Sequence, residues 1–157
     1  MEQSVKVGDR FPVDELVASD GRRLDLGSLA GPAVVYFYPA DGTPTCTLQA
    51  IEFNRALGEF KAAGVALVGV SVDDEESHRC FAQDQALEFP LVSDRDGELT
   101  ARLGLTHDYG EYGKLAGRVT LLLDRDAVVR RTWSPEEQDL RDHPGQTLDA
   151  ARALEAS

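Results

Sequence analysis

Pro39-Ala40-Asp41-Gly42-Thr43-Pro44-Thr45-Cys46 is the stretch on which the reading of this chain turns. Before it runs Ala33-Val34-Val35-Tyr36-Phe37-Tyr38, an unbroken apolar and aromatic segment that reads as a buried strand. After it, Phe53, Ala56, Leu57 and Phe60 recur at i, i+3, i+4 and i+7, one face of a helix, and Gly64 supplies the stop. A cysteine therefore sits where a strand hands over to a helix. Thr43 suits the N-cap, and Pro44 suits the first helical position, where a missing N–H costs nothing. Cys46 then falls in the first turn, where unpaired backbone N–H groups and the positive end of the helix dipole favour a thiolate over a thiol. A lone cysteine is most often a small buried hydrophobe. A strand-to-helix turn rich in Pro, Gly and Thr reverses that balance.

Working outward, Val65-Ala66-Leu67-Val68-Gly69-Val70-Ser71-Val72 is a second nearly continuous apolar strand, so the segment is a βαβ unit with a right-handed crossover. Asp73 and Asp74 can cap a second helix, with Glu75 and Glu76 in its first turn. On that helix His78, Phe81, Ala82 and Gln85 form one stripe, and Cys80 points to the opposite side. Phe89-Pro90-Leu91-Val92 is a short strand whose proline suits an edge or an end. Asp96-Gly97 opens a short helix carrying Leu99 and Leu103 and closed by Gly104. Residues 105–117 read as a loop. Arg118-Val119-Thr120-Leu121-Leu122-Leu123-Asp124 is a strong strand, turned by Arg125-Asp126-Ala127 into Val128-Val129-Arg130-Arg131-Thr132-Trp133. Residues 134–145 read as a polar loop, and Leu148, Ala151 and Leu154 mark a last helix from about Gln146. At the other end, residues 1–20 read as extended and irregular. Leu16-Val17-Ala18 and Leu24-Asp25-Leu26 flank the turn Ser19-Asp20-Gly21-Arg22 as a hairpin, and 27–32 form a turn into the first central strand. The predicted class is α/β: one domain over 1–157, with a central mixed sheet, helices on both faces and an N-terminal β-hairpin.

Composition narrows the function. The chain has 157 residues, 42% of them hydrophobic, enough for a core without disulfide or metal staples. Its 16 Lys and Arg against 28 Asp and Glu give a net charge of −12. Such a surface repels phosphate backbones and anionic lipid, so nucleic-acid and membrane partners are not expected, and it favours a monomer. Two cysteines do not make a secreted disulfide framework. Met1-Glu2-Gln3-Ser4-Val5-Lys6-Val7 has no signal-peptide apolar core, and no apolar run approaches the ~18 residues of a membrane span. The expected location is the cytoplasm, where a cysteine pair is more often redox-active than structural. His78, His107 and His143 lack metal-ligand spacing with the cysteines and read as solvated. Tyr109 and Tyr112 lie in a loop able to border a pocket at Cys46, and Trp133 reads as packing.

Pro39-x3-Thr43-x2-Cys46 resembles the active-site signature of the peroxiredoxins. The run Val35-Tyr36-Phe37-Tyr38-Pro39 with Thr43-Pro44 and Cys46-Thr47 is similar to the bacterioferritin comigratory protein (PrxQ) branch. Ser77-His78-Arg79 with Phe81, Phe89-Pro90-Leu91-Val92-Ser93-Asp94 and Arg118-Val119-Thr120-Leu121-Leu122-Leu123-Asp124 extend the likeness over most of the chain. The resemblance implies a thioredoxin-like fold and reduction of hydrogen peroxide and organic hydroperoxides by thiols, with no metal or bound cofactor. It also implies Cys46 as peroxidatic cysteine, Pro39, Thr43 and Arg118 around it, and thioredoxin as the usual reductant. Some members of the branch carry a resolving cysteine in the helix where Cys80 stands, which implies an intramolecular Cys46–Cys80 disulfide.

The chemistry fits the residues. A helix N-terminus contributes on the order of 1 kcal/mol to an anion, so a cation must supply much of the rest, and Arg118 at the head of an apolar strand is placed to do so. The Thr43 hydroxyl can orient a peroxide in line for attack. Pro39 offers a rigid apolar wall. The N–H groups of Thr45 and Cys46 can face the charge developing on the peroxide oxygens. Three positions depart from the family pattern: Thr45 replaces Gly or Val, Gln49 replaces a common Glu, and Ile51 stands where many members have a second cysteine. Ile51 excludes the short-spaced disulfide, and Gln49 leaves the orientation of Arg118 open. Two other readings remain, a one-cysteine peroxidase resolved by an external thiol and a redox-sensing binding module. A disulfide reductase would want C-x-x-C, and this chain has Thr43-Pro44-Thr45-Cys46.

Overall fold

Five strands form the central sheet of the computed structural model, which describes residues 5–26 and 28–156. The sequence expectations for residues 1–4 and for Gly27 lie outside the described residues. The sheet order is β5 (Leu91–Ser93), β4 (Ala66–Ser71), β3 (Ala33–Phe37), β8 (Val119–Leu123) and β9 (Val129–Trp133). β3, β4 and β5 run parallel, and β8 and β9 are antiparallel to their neighbours, so the sheet is mixed as expected. Every residue of β3 and of β8 is buried, which is why both read as continuous apolar runs rather than as alternations.

The pleat sends alternate residues to two cores. Ala33, Val35 and Phe37 join Val68, Val70, Leu121 and Leu123 on one face, covered by Leu99 and Leu103 at α3 (Glu98–Arg102) and by Phe11, Leu16 and Leu26 from the N-terminal segment. Val34, Tyr36 and Leu122 face the other way. There they meet Phe53, Leu57 and Phe60 of α1 (Pro44–Ala62), Phe81 of α2 (Glu75–Gln85), and Leu148 and Ala151 of α4 (His143–Ala156). Helices therefore cover both faces. The expected hairpin is present as β1 (Glu15–Val17) and β2 (Arg23–Asp25).

Three expectations are corrected. Residues 105–117 are not plain loop: β6 (Thr106–Asp108) and β7 (Lys114–Ala116) pair antiparallel across a 3₁₀ turn at Gly110–Tyr112. Strands of three residues, half exposed and rich in Gly and charge, carry too little periodicity to announce themselves. The polar 134–145 segment holds a 3₁₀ turn at Glu137–Asp139, and α4 begins at His143 rather than Gln146. The third correction concerns histidine: His107 is exposed as expected, but His78 and His143 are fully buried. His143 lies within hydrogen-bonding distance of the Thr120 hydroxyl, 2.8 Å away, and stands edge-on to Phe53 and Trp133. A helical histidine beside aromatic partners thus belongs to the core.

Two expected outcomes follow from this packing. A Cβ on Gly69 of β4 would lie 2.9 Å from Leu91 Cδ2 and 3.0 Å from Tyr36 Cζ, and the Tyr36 ring is itself stacked on Phe53 at 4.6 Å. Gly69→Ala is expected to cost about 1–3 kcal/mol by overpacking; an unchanged urea midpoint would contradict it. Burial holds the His143 imidazole below its ordinary 6.5, with Gln146 and Asp139 opposing. The folded state thus resists protonation of a group the unfolded chain protonates freely. Stability from this residue is complete above about pH 6.5 and falls as pH drops through the lowered folded value. Urea midpoints of the wild type should therefore decline toward acid more steeply than those of His143→Gln, and parallel curves between about pH 7.5 and 5 would refute this.

Candidate active site

The carboxyl ends of β3 and β4 and the start of α1 meet at one edge of the sheet, the edge where α/β proteins place their chemistry. β3 ends at Phe37, and Tyr38-Pro39 leads into a turn whose Gly42 takes φ +80°. α1 starts at Pro44, and its first bond runs from the Thr47 N–H to the Thr43 carbonyl at 2.8 Å. The N–H groups of Thr45 and Cys46 precede that ladder and have no carbonyl within the helix to bond. Cys46, the third residue of α1, is 1% exposed and is a free thiol.

Arg118 comes from the other side of the molecule by strand pairing. Phe37 faces Val119 in the β3–β8 register, so the residue before Val119 leaves the sheet where β3 ends. Its Nη2 donates to Cys46 Sγ at 3.4 Å, and its Nη1 donates to Gln49 Oε1 at 2.5 Å. Gln49 lies three residues after Cys46 and so on the same face of α1. The amide does hold the arginine, which settles the orientation the sequence left open. Because the amide is neutral, the guanidinium charge facing the sulfur is not offset by a carboxylate at this position. Gln49 is 1% exposed, and its Nε2 is a buried donor with no partner among the described residues.

Thr43 occupies the N-cap with extended backbone, but its hydroxyl makes no capping bond. It donates instead to the Ala40 carbonyl at 3.3 Å, leaving its lone pairs to accept. The expectation of a side-chain cap is thus corrected, while the position stands. Pro39 is half-buried at the start of the loop. Tyr36 and Tyr109 both feel this site. Burial pushes the Tyr36 phenol well up, with Cys46 and Asp41 adding and Arg118 opposing. Burial also raises Tyr109, with Arg118 opposing and Cys46 adding. Tyr109, half-buried at the end of β6, thus borders the site as the sequence suggested, while Tyr112 is 75% exposed. Tyr36 was not foreseen as a neighbour of Cys46, although the strand period puts it on the face that α1 covers.

Cys80 stands apart from this group as an exposed free thiol on α2. Two residues before it, the buried His78 ring sits in a polar cluster at the same sheet edge. Its Nδ1 is 2.8 Å from Asp41 Oδ2. Asp41 also accepts from Tyr38 Oη at 2.6 Å and Ser77 Oγ at 2.8 Å, and its N–H donates to Asp73 Oδ2 at 2.8 Å. Ligand-type atoms of Asp41, Asp73 and His78 lie within 4.8 Å of one another, a grouping able to hold a cation; here they are joined by hydrogen bonds within the protein. Sequence spacing hid the cluster, because its members come from four separate elements.

Comparison with known proteins fits this geometry. Residues 7–132 match the AhpC/TSA family. The chain is 38% identical over 151 residues to chloroplastic peroxiredoxin Q of Suaeda salsa, covering 96% of this chain and 69% of that protein. It is 34% identical over 140 residues to a putative peroxiredoxin bcp of Coxiella burnetii, covering 87% and 93%. Among solved structures it resembles peroxidoxin BcpB of Mycobacterium tuberculosis, with TM-score 0.78, 32% identity and 92% and 97% coverage. It also resembles Xanthomonas campestris peroxiredoxin Q, with TM-score 0.79, 31% identity and 98% of each chain covered. The chain therefore belongs to the AhpC/TSA family, in its peroxiredoxin Q branch, and is a peroxidase among the oxidoreductases.

Proposed function

We propose that this chain reduces hydrogen peroxide and organic hydroperoxides through a sulfenic acid on Cys46. The observation that carries the reading is the Arg118–Cys46 contact at 3.4 Å in a nearly closed site at a helix N-terminus. The Cys46 thiolate attacks the terminal hydroperoxide oxygen. The S–O bond forms as the O–O bond breaks, and the departing alkoxide or hydroxide takes a proton to leave as alcohol or water. Arg118 and the N–H groups of Thr45 and Cys46 face the charge that moves onto the oxygens. The Thr43 hydroxyl accepts from the peroxide O–H and holds it in line, and Pro39 walls the sulfur from water. Cys80, as thiolate, then attacks the sulfur of Cys46–SOH. A disulfide forms, hydroxide leaves and is protonated to water, and a dithiol reductant of the thioredoxin type restores both thiols. We read the working form as a cytoplasmic monomer, on the strength of the −12 charge. Among the described residues no helix is long and apolar enough to cross a membrane.

The bridge needs Cα atoms within about 7 Å. Cys46 is buried in the first turn of α1 and Cys80 exposed midway along α2. The first turn of α1 and part of α2 must therefore unwind before the sulfurs meet. A one-cysteine cycle resolved by an external thiol is favoured by one observation, that the two thiols stand apart, Cys46 buried in α1 and Cys80 exposed on α2.

Cys46→Ser is expected to abolish peroxide-dependent oxidation of a thiol reductant; retained turnover would end the proposal. Arg118→Ala should slow the peroxide step by roughly 10²-fold, the scale of losing one oxyanion donor. Thr43→Val should slow it too while leaving thermal unfolding unchanged, and near-normal rates in both variants would place the chemistry elsewhere.

Peptide mapping after one equivalent of peroxide decides between the two cycles. A Cys46–Cys80 bridge is expected, together with faster over-oxidation of Cys46 in Cys80→Ser. Cys46 persisting as sulfenic acid while Cys80 stays a free thiol would make this a one-cysteine enzyme.

A further inference from the structure

The geometry points to Asp41 and His78 as positioning residues: a buried hydrogen-bonded pair that latches α2 to the Cys46 loop, so that the two segments open together and the latch sets how fast Cys80 reaches Cys46. The last clause rests on the reading of Cys80 as the resolving thiol; the latch itself does not.

The hydrogen-bond inventory of His78 is unusual. Nδ1 faces the Asp41 carboxylate at 2.8 Å. Nε2 faces the Val92 carbonyl at 3.1 Å, an acceptor only. The two hydroxyls near the ring, Tyr38 Oη and Ser71 Oγ at 3.4 Å each, spend their hydrogens on Asp41 at 2.6 Å and Asp73 at 2.6 Å. The ring is thus enclosed by polar partners on both nitrogens, with the Asp41 carboxyl the nearest. The side chains are 0% and 6% exposed, so this is a desolvated pair. Asp41 takes a further hydrogen bond from Ser77, so two adjacent residues of α2 grip one loop carboxylate.

Chain position makes the pair a coupling device. Asp41 lies midway between Pro39 and Thr43 in the loop that feeds Cys46. His78 lies two residues before Cys80. Unwinding α2 alone would strip Asp41 of its Ser77 and His78 donors and leave a buried carboxylate held by Tyr38 and little else. Releasing the loop alone would leave a buried imidazole without its Asp41 partner. A half-broken buried pair is the costly state, and both halves reach water only when both segments move. Joint opening of these segments is what a Cys46–Cys80 bridge requires. The latch thus holds the peroxide-reactive arrangement together and retards the second step.

The test is hydrogen exchange followed by mass spectrometry on the reduced full-length chain, paired with timed thiol mapping after one equivalent of hydrogen peroxide. In His78→Gln, peptides covering 40–47 and 75–85 should both exchange about tenfold faster, by a common factor. Ser77→Ala removes one hydrogen bond to Asp41 and leaves the ring in place, so it tests the latch even where His78→Gln fails to fold, and it should show the same paired change at about threefold. Loss of the Cys46 thiol to peroxide should keep its wild-type rate, while bridge formation quickens by the exchange factor. Val129→Ala, a buried truncation on β9 at the opposite edge of the sheet, should show neither paired exchange nor quicker bridging, which separates a latch from general loss of stability. Faster exchange confined to 75–85, or no paired change in either variant, would overturn the latch. Paired exchange without any Cys46–Cys80 bridge would leave the latch standing and remove Cys80 as the resolving thiol.

Discussion

One guanidinium governs the active edge of this molecule. Arg118 is charged, half-buried and placed at the head of a strand whose five following residues are all buried. Its charge is tolerable there because it has two partners on a single helix face, the Cys46 sulfur at 3.4 Å and the Gln49 amide oxygen at 2.5 Å. The rest of the architecture serves that arrangement. Antiparallel pairing of β3 with β8 brings residue 118 to the end of β3, and the β3–α1 turn delivers residue 46 to the same place. Neither element could shift by one residue without sending its side chains to the opposite face of the sheet.

Gln49 shows how a departure from a family pattern can be read physically. A carboxylate at that position would hold Arg118 as well as the amide does and would also offset part of its charge. The amide supplies the geometry without the counter-charge, so the cation faces the sulfur less compensated. The cost is visible in the buried Nε2, which has no partner among the described residues. An unmet donor beside a reaction centre is the kind of local expense that stable folds accept where chemistry takes place.

The sequence was most legible where burial is two-sided and least legible where it is local. β3, β4 and β8 announced themselves as apolar runs, and α1 did so through Phe53, Leu57 and Phe60, because the core dictates every residue there. The β6–β7 hairpin was missed because three half-exposed residues per strand carry no usable period. Cys46, Pro39, Thr43 and Arg118 were singled out through motif and chemistry, and the structure places the Arg118 guanidinium 3.4 Å from the Cys46 sulfur. The solvated reading of His78 and His143 failed because imidazole carries no burial signature of its own; the partners that bury it, Asp41 for one and Thr120 for the other, lie far along the chain.

On the proposed two-cysteine cycle, a tension is built into the site and orders the two halves of the reaction. Attack on a peroxide gains from a sulfur that is shielded, fixed and close to a cation, which is how the 1% exposed Cys46 stands beneath Arg118. Meeting an exposed thiol on α2 requires that same sulfur to leave its helix turn and its cation. Tight packing serves the first demand at the expense of the second, because interiors at native density yield by discrete rearrangement and not by gradual deformation. On the proposed latch, polar contacts shared by the two segments convert that conflict into a single opening event. The cluster of Tyr38, Asp41, Ser71, Asp73, Ser77 and His78 joins the ends of two strands, one loop and one helix at the edge where the reaction occurs. Its burial makes those bonds costly to break singly, so on the proposed latch it favours wholly closed or jointly open states over a site left partly unwound.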